Sequence, residues 1–167
     1  MEHRYLKIAL SSAVGLLASL WFVNNLLNWE TAQGAVAYTL SQADQTGYQN
    51  HIIPPIGSAF VATLVLLAIV VGEGAAGALA LVGAYQMWAG RKGSDAAFFK
   101  AKQLAVLGCG TAVLVWFLLF QVMGGALMMM GQSEGLQGAL DGAFRFASYS
   151  FLTLIYLSLT EPTSSAE

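Results

Sequence analysis

The residue best placed to do chemistry in this sequence is a single carboxylate, Glu73, in the middle of the apolar stretch 57–88. An ionisable side chain at the middle of a bilayer is costly, so it usually faces protein or water rather than lipid. Functional interpretations of Glu73 are a proton acceptor, a contact for a cation or substrate, or a bond to a partner subunit. The structural interpretation is a protonated, hydrogen-bonded side chain that ties two spans together. The sequence leaves both open.

Small residues surround this carboxylate, and Gly72 and Gly77 join Glu73 as candidates for an intramembrane functional or interface site. Four small residues recur at every fourth position and so share one helix face: Gly72, Ala76, Ala80 and Ala84. Such a face lets a second helix approach closely. That helix can belong to the same chain or to another protein.

A second candidate site is a polar network at the periplasmic side of the membrane. Asp141 and Arg145 are four residues apart near the start of the last apolar stretch, so we expect them to pair on one helix. Asn24 and Asn25 close the first apolar stretch and are expected at a similar level. The predicted network therefore consists of Asn24, Asn25, Asp141 and Arg145.

The other reactive side chains argue against catalysis and against a bound cofactor. His3 and His51 lie outside the apolar stretches, so a haem held between membrane helices is not expected. Cys109 is the only cysteine, which excludes an intramolecular disulfide and a zinc site built from cysteines. The sequence has no pattern that pairs a nucleophile with a base and no phosphate-binding glycine loop. We therefore expect a protein that is not an enzyme, with no catalytic residue, cofactor or metal site.

Membrane-spanning helices must position these side chains. The 167-residue chain is 57% hydrophobic and only 10% charged, whereas soluble domains are about 25% charged. We predict an all-α fold, an integral membrane four-helix bundle that forms a single domain over residues 1–167. The predicted spans cover about residues 8–28, 57–88, 103–130 and 137–159.

The polar segment 29–56 separates the first two predicted spans. Its apolar residues Ala32, Val36, Leu40 and Ala43 recur at spacings of three and four, which predicts a short helix at the membrane surface. Orientation follows from the basic residues, because cytoplasmic loops carry an excess of lysine and arginine. Six of the seven lie before the first span or in the loop that follows the second: Arg4, Lys7, Arg91, Lys92, Lys100 and Lys102. We therefore expect a multi-pass protein of the bacterial inner membrane, with cytoplasmic termini and a periplasmic interfacial helix.

Several short motifs together form a pattern that covers nearly the whole chain. They are Asn24-Asn25, Glu73, FFKAKQLAVLG (98–108), Trp116-Phe117, Gly124-Gly125, Gln132-Ser133 and AFRF (143–146). This pattern resembles a bacterial family of predicted small integral membrane proteins of unknown function (domain of unknown function 2165). The resemblance implies four spans and brings no established activity.

Three functional hypotheses are compatible with these observations. The leading one is a non-catalytic accessory subunit that packs against a larger membrane complex, respiratory or photosynthetic. The alternative is a small transporter or channel that uses Glu73 as a proton or cation site. A third, a protein that binds a quinone or a lipid, rests on an apolar bundle with one polar group. Expected partners are the lipid bilayer and either other membrane subunits or further copies of the chain. The formal net charge of −2 gives no basis for binding nucleic acid.

Overall fold

The computed structural model describes residues 2–45, 47–48 and 50–160, and this part of the chain is all helical, without strands. Two short elements accompany the α-helices, a π-helical segment that continues α5 and a 3₁₀ turn before α6. The elements in chain order are α1 (Glu2–Leu27), α2 (Trp29–Ser41), α3 (Ala59–Gly90), α4 (Asp95–Ala101), α5 (Gln103–Val113), the π segment (Leu114–Leu127), the 3₁₀ turn (Met130–Gln132) and α6 (Glu134–Ser158).

Within the described residues, three helical stretches are long and apolar enough to cross a membrane. They are Glu2–Leu27 with 26 residues, Ala59–Gly90 with 32, and the continuous stretch Asp95–Leu127 with 33. Helix α6 has 25 residues, which is long enough, but its first half carries Glu134, Asp141 and Arg145 and its second half several Ser, Thr and Tyr residues. The structure therefore supports three of the four predicted spans by length and composition.

The long helices pack side by side. Helix α1 lies along α3, α3 along α5, and α5 with the π segment along α6, which returns to contact α1. Small residues set the close spacing between α3 and α5. A Cβ atom added to Gly83 would collide with the backbone of Ala105, and one added to Gly108 would collide with the backbone of Ala80. Part of the small-residue face predicted on α3 is therefore filled by α5 of the same chain.

One end of the molecule gathers the basic residues. Arg4 forms an ion pair with Asp95 and donates to the carbonyl oxygens of Arg91 and Gly93 at 2.9 and 2.8 Å. The Nζ atoms of Lys7 and Lys102 both donate to the carbonyl oxygen of Leu159, at 2.8 and 3.1 Å. The start of α1, the loop after α3 and the end of α6 thus meet at the same end, called the basic end below.

Helix α2 covers the opposite end of the molecule. It follows α1 almost directly and is capped at its C-terminal end by Gln42, which has a left-handed backbone with φ of 51°. Gln33 Nε2 donates to Thr63 Oγ1 at 2.6 Å, and the backbone nitrogen of Ile56 donates to the carbonyl oxygen of Leu40 at 2.8 Å. These two bonds hold α2 against the first turns of α3 and the segment that precedes it. The helix predicted within 29–56 is present, and its periplasmic, interfacial position stays a prediction.

Candidate functional site

Glu73 is buried in α3 and bonded to α1. Its side chain is 2% exposed, and Asn25 Nδ2 donates a hydrogen bond to its Oε2 atom at 2.8 Å. Within the described part of the chain no hydrogen bond to Oε1 is present. Glu73 therefore ties two long helices together through this bond, and its Oε1 atom accepts no hydrogen bond from the described residues.

Close packing of α1 on α3 brings Asn25 to Glu73. A Cβ atom on Gly77 would collide with Ser19, and one on Gly74 would come within 3.0 Å of the Phe22 ring. Because neither position has a side chain, α1 approaches the face of α3 that holds the carboxylate. Gly72 faces another neighbour, since a Cβ there would collide with Val115 of the π segment. Gly72 and Gly77 thus pack helices of this chain.

Glu73 and Asn25 line an apolar cavity of about 570 Å³. Its walls come from the end of α1, the first half of α3, the π segment and the first half of α6, and α2 closes the end away from the basic residues. Pockets for small molecules have volumes of about 300–1,000 Å³ and are mostly apolar with a few placed polar groups. This cavity has both properties.

Three aromatic rings form one wall of the cavity. The ring centroid of Phe146 lies 5.7 Å from that of Trp21 and 5.4 Å from that of Trp116. All three side chains line the same cavity as Glu73. They come from α1, the π segment and α6, so only the packing of these helices joins them.

The π segment supplies another side of the cavity. Trp116, Phe120, Met123 and Leu127 line it, together with Gly124. Gln121, on the same segment, donates to the carbonyl oxygen of Leu140 in α6 at 2.7 Å. This π-helix has 14 residues, which is long, since most π-helices are single-turn bulges within α-helices. Such bulges frequently occur at functional sites.

The described residues that line the cavity include no positively charged side chain. Among the described residues that line the cavity, Glu73 is the only titratable side chain, and none is Lys, Arg or His. The described residues also hold no group of three His, Cys, Asp or Glu side chains that could bind a metal ion. The arrangement is suited to binding an apolar molecule, with one carboxyl group to contact its polar part.

The loop that follows α2, at the roof of the cavity, is fastened to the 3₁₀ turn and to Ser133, the residue before α6. Ser133 Oγ donates to Asp44 Oδ2 at 2.6 Å, and the backbone nitrogen of Gly47 donates to Gln132 Oε1 at 2.8 Å. The hydrogen bond from Ser133 lowers the pKa of the Asp44 carboxyl below its ordinary value of 3.8. Five residues of α2 line the cavity, namely Ala32, Ala35, Val36, Thr39 and Leu40.

The predicted polar network is divided in the structure. Asn25 bonds to Glu73, whereas Asn24, Asp141 and Arg145 are exposed. The ion pair expected between Asp141 and Arg145 is not formed, since the one salt bridge among the described residues joins Arg4 to Asp95. Asp141 and Arg145 lie outside the cavity lining, on another face of α6.

Reasoning from the sequence missed the aromatic wall. Trp116 and Phe146 belong to motifs that carry the family resemblance, Trp116-Phe117 and AFRF, but nothing in their spacing connects them with Glu73. Trp21 lies four residues before Asn25, so both fall on one face of α1. That spacing was the one available signal that an aromatic ring accompanies the polar pair.

Comparison with curated proteins and comparison with solved structures give no match in either case. A family model described as "Predicted small integral membrane protein (DUF2165)" matches residues 3–160, nearly the whole chain. With three candidate spans among its described residues, the protein is a membrane protein of the kind that this description names. The chain therefore belongs to the family of predicted small integral membrane proteins of unknown function.

Proposed function

We propose that this protein is a non-catalytic membrane protein that binds a lipophilic molecule in the cavity between α1, α2, α3, the π segment and α6. The observation that carries the proposal is the cavity of about 570 Å³ with Glu73 and Asn25 in its wall. A carboxyl group with an unused oxygen, in an otherwise apolar wall, can contact the polar part of a ligand whose body fills the cavity.

The packing beyond Glu73 favours a binding site over a path across the membrane. In α3, which is described throughout, the lining residues end at Glu73. Toward the basic end, Gly77 packs against Ser19 and Gly83 against Ala105, close enough to exclude a Cβ atom. A transporter that uses Glu73 would have to separate these helices, whereas a binding protein needs no such movement.

The proposal includes a topology. We propose four spans, with α6 as the fourth, in the bacterial inner membrane, and the basic end in the cytoplasm because of the excess of lysine and arginine there. The cavity then lies in the outer half of the bundle, under a periplasmic α2. In a Cys109→Ala background, Gly34→Cys on exposed α2 and Lys92→Cys at the basic end should react with a membrane-impermeant thiol reagent from opposite sides. Labelling of both from the same side would overturn this topology.

Cavity filling tests the binding function. Ala139 and Ala78 are both exposed, but only Ala139 lines the cavity, so Ala139→Trp places a large side chain at its wall and Ala78→Trp places the same side chain on α3 away from it. Gently purified wild type and Ala78→Trp should retain a bound lipophilic molecule in native mass spectrometry, and Ala139→Trp should lose it. Equal retention by both variants, or no bound molecule in any of the three, would contradict the proposed function.

The accessory-subunit hypothesis is a second candidate, and one observation on α6 supports it. Asp141 and Arg145 are exposed and unpaired within the described part of the chain. If α6 is a fourth span, both charges lie toward lipid, where a charged side chain is costly unless a partner covers it. A second membrane subunit, or a second copy of the chain, on this face of α6 would cover them.

A further inference from the structure

We propose that the molecule bound in the cavity is a lipophilic cation, a tertiary or quaternary ammonium group carried on an apolar body. The inference rests on the proposed function and names the chemical class of the ligand. The juxtaposition that carries it is one carboxyl group and a wall of three aromatic rings in the same cavity.

The carboxyl group selects for positive charge. Asn25 occupies Oε2 of Glu73, so a ligand meets the other oxygen, Oε1. An ionised carboxylate in an apolar wall is costly to desolvate, and a ligand cation beside it offsets that cost by pairing with it. A neutral apolar ligand offers no such pairing, and beside it the protonated carboxyl avoids that cost without adding to binding. Charge on the ligand therefore strengthens binding at this particular position.

The aromatic wall favours a substituted ammonium group over a small, strongly hydrated ion. Aromatic faces attract cations through the ring quadrupole, tryptophan most strongly, and aromatic cages recognise quaternary ammonium groups in this way. Trp21, Phe146 and Trp116 contact one another in sequence, with centroid distances of 5.7 and 5.4 Å. Their extended apolar surface matches the methyl groups of such a cation, and the rest of the cavity accommodates its hydrocarbon body.

Anionic ligands fit the cavity poorly. A fatty acid or an acidic lipid head group needs a basic side chain, and no Lys, Arg or His stands among the described residues of the lining. Arg4, Lys7, Arg91 and Lys102 gather at the basic end, beyond the close packing of α3 on α1 and α5. These basic side chains therefore lie away from the cavity and are not placed to bind an anionic ligand in it.

The experiment compares three probes of similar shape on the full chain in nanodiscs, with empty nanodiscs subtracted. They are octyltrimethylammonium, its uncharged carbon isostere 2,2-dimethyldecane, and the anion octanesulfonate. Affinity is read from the dependence of the thermal unfolding midpoint on probe concentration, because a ligand that binds the folded state stabilises it. We expect octyltrimethylammonium to bind about tenfold more tightly than 2,2-dimethyldecane, and octanesulfonate most weakly.

Two variants distinguish the effect of the probe's charge on affinity from the effect of its shape and size. Glu73→Gln should reduce the preference for the cation over its isostere to about twofold or less, while both probes still bind. Trp116→Leu provides a second variant that weakens the cation more than the isostere, in case Glu73→Gln does not fold. Equal binding of cation and isostere by wild type would overturn the cation inference. If Ala139→Trp then abolishes the binding of both probes, the proposed function stands. If both probes still bind to Ala139→Trp, the proposed function is overturned as well. No binding of any probe to wild type would overturn both proposals.

Discussion

The side-chain amide of Asn25 donates to the carboxyl group of Glu73 at 2.8 Å, and this bond joins the end of α1 to the middle of α3. It stands at the inner end of an apolar cavity, so it both connects two helices and presents a polar group to whatever fills the cavity. In an apolar interior, a buried polar side chain that loses its hydrogen-bond partner finds few others, and leaving it without one is costly. Mutating either residue of this pair therefore tests what the hydrogen bond contributes to stability.

Replacing Asn25 should destabilise the fold. Asn25→Leu removes the donor and leaves the buried oxygens of Glu73 without a partner, which should lower the free energy of unfolding by about 1–3 kcal/mol. Asn24→Leu, on the adjacent exposed position, is the matched control and should change it by less than about 0.5 kcal/mol. Equilibrium unfolding in mixed micelles measures both. Equal effects of the two variants would mean that the bond to Glu73 contributes nothing to stability.

Replacing two glycines by alanine should change the stability of the fold in opposite directions. Gly83→Ala puts a methyl group into the backbone of Ala105 and should destabilise the fold by about 1–3 kcal/mol. Gly110→Ala meets open space on α5 and should stabilise it by up to about 1 kcal/mol, because glycine is a poor helix former. The same unfolding measurement distinguishes them. A neutral Gly83→Ala would show that α3 and α5 are not packed as closely as described.

The roof over the cavity should be sensitive to acid. The hydrogen bond from Ser133 lowers the pKa of Asp44 from its ordinary 3.8, so Asp44 in the folded state holds its proton less tightly than in the unfolded state. Its stabilising contribution is therefore fully present above pH 3.8 and is lost as the pH falls through the lowered folded value. We expect the unfolding midpoint of wild type to fall more than that of Ser133→Ala when the pH is taken from 6 to 3. Parallel acid dependence in the two proteins would show that this bond does not govern the effect.

The exposed charges of α6 should matter for assembly and little for folding. Because Arg145 is exposed and has no ion-pair partner among the described residues, Arg145→Gln should not lower the stability of the isolated chain by more than about 0.5 kcal/mol. If a second subunit covers this face, the same variant should lose the larger species that wild type forms on native gels of mildly solubilised membranes. Wild type that migrates only as a monomer would contradict the accessory-subunit hypothesis.

The sequence sufficed for the class of protein and for most helices. Apolar stretches of span length predicted α1, α3 and, as the span 103–130, α5 with the π segment, because helix length and bilayer thickness leave few alternatives. The amphipathic spacing within 29–56 predicted α2, whose residues Ala32, Val36 and Leu40 all line the cavity from one face. Helix α6 was predicted as a span by the same reasoning, but its polar residues leave it outside the three candidate spans.

Glu73 was singled out from the sequence because a lone carboxylate in an apolar stretch is costly enough to require an explanation. Its partner and its surroundings were decided by tertiary structure. Asn25 was assigned to a network with Asp141 and Arg145 by its expected depth, yet helix rotation about the axis, which depth does not specify, turns it toward Glu73. Trp21, Trp116 and Phe146 lie far apart in the chain and meet because α6 packs against both α1 and the π segment. Local spacing fixes which residues share a face of one helix, and only the packing of several helices determines which faces enclose a cavity.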